Sequence, residues 1–182
     1  MAKVKRKALA EIYAGLEHAR ITQNILVKAI RDVKCMGFSA QEQLIDDIYQ
    51  EQPNMLASVL ALQSSGVSFP DMDIALNILM VCFTAMKYSG DNWPQLTKDE
   101  LERQMTRYRA QMDFTSDLAP EQKIQAMTKY VMTHSEPVLL AYVSAEISAW
   151  LERKPCSEEG KFVILCAGNF VNCIVALAHP EK

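Results

Sequence analysis

Apolar positions recur along this chain with the three-and-four spacing of helices, and nowhere long enough with the period of two that a strand needs. The greasiest stretch is Gly160 to Ala178, which is apolar on nearly every side and predicts the buried axis of the fold. At the other end, Leu9, Ile12, Leu16, Ala19, Gln23, Leu26, Ile30 and Val33 fall on one stripe and predict a continuous helix, stopped at Gly37. Ser39 is the expected cap of a helix to Gln50 carrying Leu44, Ile45 and Ile48. Pro53 opens the next one, which ends at Ser64-Ser65-Gly66. Asp71 is expected to cap a mostly apolar helix to Tyr88, whose polar residues Asp73, Asn77, Thr84 and Lys87 share a narrow strip.

After the turn-rich residues Ser89 to Pro94, Thr97 and Glu100 have the spacing of a capping box, in which the hydroxyl and the carboxylate each take an N–H at the helix start. The helix that follows, to Phe114, has a narrow stripe of Leu101, Met105, Tyr108 and Met112. Arg103, Arg107 and Arg109 lie outside that stripe, and Asp99 is placed to pair with Arg103. Pro120 starts a helix with Ile124, Met127, Val131 and His134 inward. Ser135-Glu136-Pro137 starts another, to Arg153, which Pro155 stops. Ser157, Glu158 and Glu159 then begin the apolar last helix, where acids suit the positive end of the dipole.

These elements predict an all-α fold: a single-domain bundle of about eight helices over residues 1–182, with two apolar helices at its centre. At a separation of 84 residues, Pro53 stands opposite Pro137, Leu56 opposite Leu140 and Val59 opposite Val143, which suggests a weak internal repeat of 39–89 and 119–178. Phe162 to Ala178 has 17 residues without a charge, short of the roughly 20 that span a bilayer. A buried core helix is expected there rather than a membrane span.

Charge is unevenly spread. Residues 1–34 hold eight Lys/Arg against three acids, and residues 35–86 hold six acids and no Lys or Arg, although the whole chain is only −3. The two segments are expected to face each other, and the acidic one argues against a nucleic-acid partner. Five cysteines with no C-x-x-C pair fit a reducing compartment, and Glu11 and Glu17 interrupt any secretory core, so the expected location is the cytoplasm.

Candidate chemistry is sparse. The three histidines have no metal-ligand spacing, no phosphate loop or nucleophile elbow is present, and no metal or cofactor is expected. Polar residues on the apolar helices are the candidates for a pocket between them: Asn77, Glu146, Asn169 and Asn172, with His134 near Glu146 for acid–base work. Cys166, Asn169 and Cys173 share a strip that either permits close helix packing or lines that pocket. Gln23, as a polar residue in the first stripe, and Arg103, Arg107 and Arg109 mark the candidate interaction surfaces. The expected role is a non-enzymatic interaction or regulatory protein with a protein partner or a second copy of itself. The alternative is a small-molecule site, binding or enzymatic, between the two apolar helices.

Overall fold

The computed structural model describes residues 19–116, 118–153 and 157–178, and among these it is all-α with no strand. Eight helices follow one another: α1 Gln23–Lys34, α2 Phe38–Glu51, α3 Pro53–Leu60, α4 Phe69–Ser89, α5 Lys98–Ser116, α6 Pro120–Thr133, α7 Pro137–Arg153 and α8 Glu158–Ala178. A 3-10 turn, Ala61–Ser65, prolongs α3 to Gly66, whose left-handed φ of 81° closes it. Prolines stand at the first or second position of α3, α4 and α6, where a missing N–H leaves no intrahelical bond unmade.

α4 and α8 lie against each other at the centre, because neither has a polar face wide enough to be left in water. α1, α3 and α7 pack on α4; α5 and α7 pack on α8; α2 joins through α3 and α4, and α6 through α5 and α7. The core runs from Ile21 and Leu26 through Ile78–Met86 to Phe170 and Ile174. Both central helices are long and apolar enough to cross a membrane, since α8 extends back to Glu158 and α4 to Phe69. Length therefore does not separate the two readings; about three-fifths of the most apolar window of each helix is buried inside the bundle.

The long first helix is corrected. Residues 19–22 are non-helical and Thr22 caps α1 by accepting the N–H of Ile25, so the stripe is broken where a threonine finds an N-cap role. Leu9, Ile12 and Leu16 lie outside the described residues, as do the basic residues 3–7, His18, Pro155, Cys156 and His179. The surviving part of the stripe, Leu26, Ala29 and Val33, is buried, with α1 against α4. Two other starts shift by a turn or less: α2 begins after Gly37 rather than after Ser39, and α4 after Ser68 rather than at Asp71. Asp71 instead sits in the first turn of α4, accepting a hydrogen bond from Ser68 Oγ at 2.7 Å.

Charged residues of α1 meet the last turn of α4 at Tyr88. Lys28 Nζ lies 4.0 Å from its ring centroid, and its hydroxyl donates to Asp32 at 2.8 Å. That bond, opposed by burial, holds the Asp32 carboxyl below its ordinary pKa.

Candidate ligand cleft between α5 and α8

α5 is a polar helix with no fully buried side chain among the described residues, yet it lies along α8, and the reason is a missing side chain. A Cβ on Gly168 would stand 2.2 Å from the Tyr108 hydroxyl, so only glycine lets the phenol seat on the α8 backbone. Next to it, the buried Asn169 reaches α5, donating through Nδ2 to Leu101 O at 3.4 Å and to Cys173 Sγ at 3.4 Å. Its Oδ1 is buried and has no hydrogen-bond partner among the described residues. Cys166 and Cys173 flank this contact. Burial pushes the Cys166 thiol up to about 12 and raises Cys173 too, so both behave as small apolar groups and not as nucleophiles. The small and polar strip of α8 is thus a close-packing surface for α5.

Residues 91–97, which lead into α5, form the second wall, and they are tied down at several points. Trp93 Nε1 donates to Met86 O and to Ser89 Oγ, both at 3.0 Å. Gln52, between α2 and α3 and only 2% exposed, uses both ends of its amide: Nε2 donates to Pro94 O at 2.8 Å and Oε1 accepts Leu96 N–H at 2.9 Å. Asn54 adds a bond to Leu96 O at 2.7 Å. Five bonds on Trp93, Pro94 and Leu96 hold a wall that has no regular secondary structure of its own.

Between this loop, the first half of α5 and the last turns of α8 lies a cleft of about 610 Å³. Its polar groups are Gln95 and Thr97 from the loop, Glu100, Arg103, Gln104 and Arg107 from α5 and Asn172 from α8, with Ser135 at the α6–α7 connector; Val175 to Leu177 give it an apolar side. Thr97 Oγ1 accepts the Glu100 N–H at 3.2 Å, which is one half of the expected capping box. The Glu100 carboxylate turns instead to its own helix, accepting from Gln104 Nε2 at 2.7 Å and pairing with Arg103, so Arg103 has Glu100 for a partner at a spacing of three. Partial burial would raise the Glu100 pKa, but the bonds from Gln104 and Arg103 outweigh it and the group stays below the usual range. With two guanidiniums against one carboxylate, the lining is net positive.

Behind Asn172 runs a chain of buried polar groups. Tyr130 donates its hydroxyl to Asn172 Oδ1 at 3.0 Å, and burial pushes that phenol up to about 12. His134, which ends α6, lies edge-on to the Tyr130 ring at 5.3 Å and hydrogen-bonds the Asn172 side chain. Its Nδ1 accepts the Glu136 N–H at 3.1 Å, which requires that nitrogen to be bare and puts the proton of a neutral ring on Nε2. Burial lowers the His134 pKa, with the Glu136 backbone and the Asn172 side chain opposing it in part. Glu136, 2% exposed, accepts the Arg20 N–H at 2.8 Å and the Ile21 N–H at 3.1 Å; its pKa is raised by burial against the pull of those two bonds.

The candidate residues read from sequence separate into two groups. Arg103, Arg107 and Asn172 meet in the cleft, with His134 behind Asn172 and Asn169 beneath the α5–α8 contact. Asn77 is exposed and bonds back to Asp73 O on its own helix at 2.7 Å; Gln23 is exposed at the start of α1. Glu146 is half-buried on α7 beside Tyr142, while the carboxyl near His134 is Glu136. Arg109 lines a separate hollow of about 140 Å³ with Met105, Ser58 and Phe162. α4 and α8 pack against each other, and the cleft that gathers Arg103, Arg107 and Asn172 opens on the flank of α8 that α5 covers. Sequence reading missed Gln52, Tyr130, Glu136 and Arg20 as site residues, since their partners are 42 to 158 residues away; Glu136 reads in sequence only as part of a helix start.

Compared with protein-family models, with curated proteins and with solved structures, the chain matches none.

Proposed function

We propose that this protein is a non-enzymatic binding protein that takes a small anionic molecule in the α5–α8 cleft. The observation that carries the reading is the convergence of Arg103 and Arg107 with the amides of Gln104 and Asn172 around about 610 Å³, within the size range of ligand sites. Guanidiniums present paired donors to a carboxylate or a phosphate, and the neighbouring amides add directional bonds that a bare charge patch lacks. A binding role rather than catalysis is favoured by how the ionisable groups are employed. Glu100 is engaged by Arg103 and Gln104, and His134 has its Nδ1 committed to a backbone N–H.

The test is titration calorimetry with citrate, malonate and inorganic phosphate as probes. Saturable binding by at least one of them is expected, weakened at least tenfold by Arg107→Ala, as loss of a charge-assisted contact should be, and unchanged by Glu146→Gln. No heat and no thermal shift with any anion at millimolar concentration would remove the proposal.

A second reading, a protein partner or self-association, is supported by large apolar side chains left in water, among them Phe38 at 76% exposure and Phe69 and Phe114 at 67% each. Molar mass by light scattering tests the self-association form: a strict monomer at high concentration would count against it.

A further inference from the structure

We infer that Arg20 and Glu136 form a clasp across one end of the cleft, so that the affinity of the site depends on two residues that do not line it. The inference rests on the cleft being the binding site.

The geometry is that of one planar group joined to both walls. The Arg20 guanidinium lies 5.2 Å from the Trp93 ring centroid, at the start of the wall continued by Pro94, Gln95 and Thr97. The same guanidinium donates through Nη2 to Ala178 O at 2.7 Å, at the end of the wall formed by Val175 to Leu177. Ala178 is the last described residue of α8, towards the C-terminal end of the helix, where a cation is well received. Stacking on an indole while donating in the plane is open to a guanidinium and not to an ammonium.

Glu136 fixes where Arg20 stands. Its two carboxylate oxygens take the successive N–H groups of Arg20 and Ile21, and Ile21 is itself fully buried. Glu136 follows Ser135, which lines the cleft, and gives its own N–H to His134, which bonds Asn172 on the opposite side of the same chain of contacts. Loop, helix end and connector, three parts of the cleft wall, therefore meet at this pair. Arg20 is a positioning residue: it holds walls whose spacing decides whether Arg107 and Asn172 reach one ligand together.

The experiment compares the full-length protein with Arg20→Met, Arg20→Lys and Glu136→Gln by amide hydrogen exchange at 95–97 and 175–178, and by citrate and phosphate calorimetry. Urea midpoints serve as the control for general destabilisation. Arg20→Met should speed exchange in both walls about tenfold, the equivalent of one lost charge-assisted bond. It should weaken probe binding by a similar factor. Arg20→Lys should share most of the loss although it keeps the charge, and Glu136→Gln should act in the same direction more weakly. Unchanged exchange in either wall, or an affinity equal to the parent's when the walls are loosened, would overturn the clasp. If neither anion binds the parent protein, the binding reading fails, and the exchange comparison still decides whether the two walls are joined through Arg20. A uniform rise in exchange across all helices would also overturn it, as the mark of a merely structural residue.

Discussion

α4 and α8 are both 21 residues long, both apolar, and packed side by side, and the cleft of about 610 Å³ borders α8 and not α4. The difference is in what covers them. α4 is buried without interruption from Ile78 to Met86, and Thr84 is its sole fully buried polar residue. α8 has Gly168 and Asn169 at the same depth, and the helix laid over them is the polar α5. Tyr108 and Leu101 secure the contact at mid-helix, and beyond it the arginines of α5 stand opposite the last turns of α8. An apolar helix acquires a site where its cover is polar and is held at one point; where the cover is apolar throughout, it is core.

The largest effect should show the two helices as equals. Phe83 on α4 and Phe170 on α8 are both among the largest fully buried side chains. Truncating either to Ala should cost about 3–5 kcal/mol in urea unfolding, from lost burial plus the cavity left behind. A loss of under about 1 kcal/mol at either position would break the symmetry, because a well-packed core does not give up a phenyl ring that cheaply.

The next effect belongs to α8 alone. Gly168→Ala places a methyl group where the Tyr108 hydroxyl stands, and should cost about 1–3 kcal/mol by over-packing, less the gain of up to ~1 kcal/mol from replacing a helical glycine. The decisive measurement is the double variant. In a Tyr108→Ala background the clash is gone, and Gly168→Ala should become neutral or stabilising.

How much of this was legible follows from how far each signal reaches along the chain. The all-α class, the two apolar helices and most boundaries depend on spacing within one helix, and prolines at 53, 120 and 137 marked starts correctly. The first helix misled because Gln23 and Ala19 fit the apolar stripe in spacing though not in character, while Thr22, a residue that favours caps, lay between them. Asn169 and Asn172 stood out as amides in a greasy helix, and both proved to lie at the α5 side. Nothing local linked Arg103 or Arg107 to them, since that meeting depends on where α5 crosses α8. Gln52 is a plain polar residue in sequence, and its burial is set by a loop more than 40 residues later.

A smaller effect distinguishes the polar flank by pH. His134 has its folded pKa lowered from 6.5, so it contributes stability that is present above about 6.5 and lost as pH falls through the folded value. Glu136 has its folded pKa raised from 4.5, so its contribution is fully present below 4.5 and lost as pH rises through the folded value. The two oppose each other between about pH 4.5 and 6.5. His134→Gln should flatten any loss of urea stability on going from pH 7.5 to 5.5, whereas Glu136→Gln should steepen it. Equal slopes in all three proteins would mean that neither group is coupled to folding.

The smallest effect separates two asparagines three residues apart on α8. Asn169 has a buried Oδ1 without a partner and two long bonds of 3.4 Å from Nδ2, so its amide is a net burden in an apolar setting. Asn169→Leu, similar in size and unable to leave an acceptor orphaned, should leave stability unchanged or raise it by up to about 1 kcal/mol. It should also leave anion binding intact, because Asn169 does not line the cleft. Asn172 is half-buried, accepts the Tyr130 hydroxyl and does line the cleft. Asn172→Leu should therefore cost the fold about 1 kcal/mol through the lost Tyr130 bond and weaken citrate or phosphate binding by roughly tenfold. Thermal midpoints and calorimetry on the two variants check both halves. A reversal, with Asn169→Leu abolishing binding and Asn172→Leu silent, would move the site from the outer flank of α8 to its contact with α5.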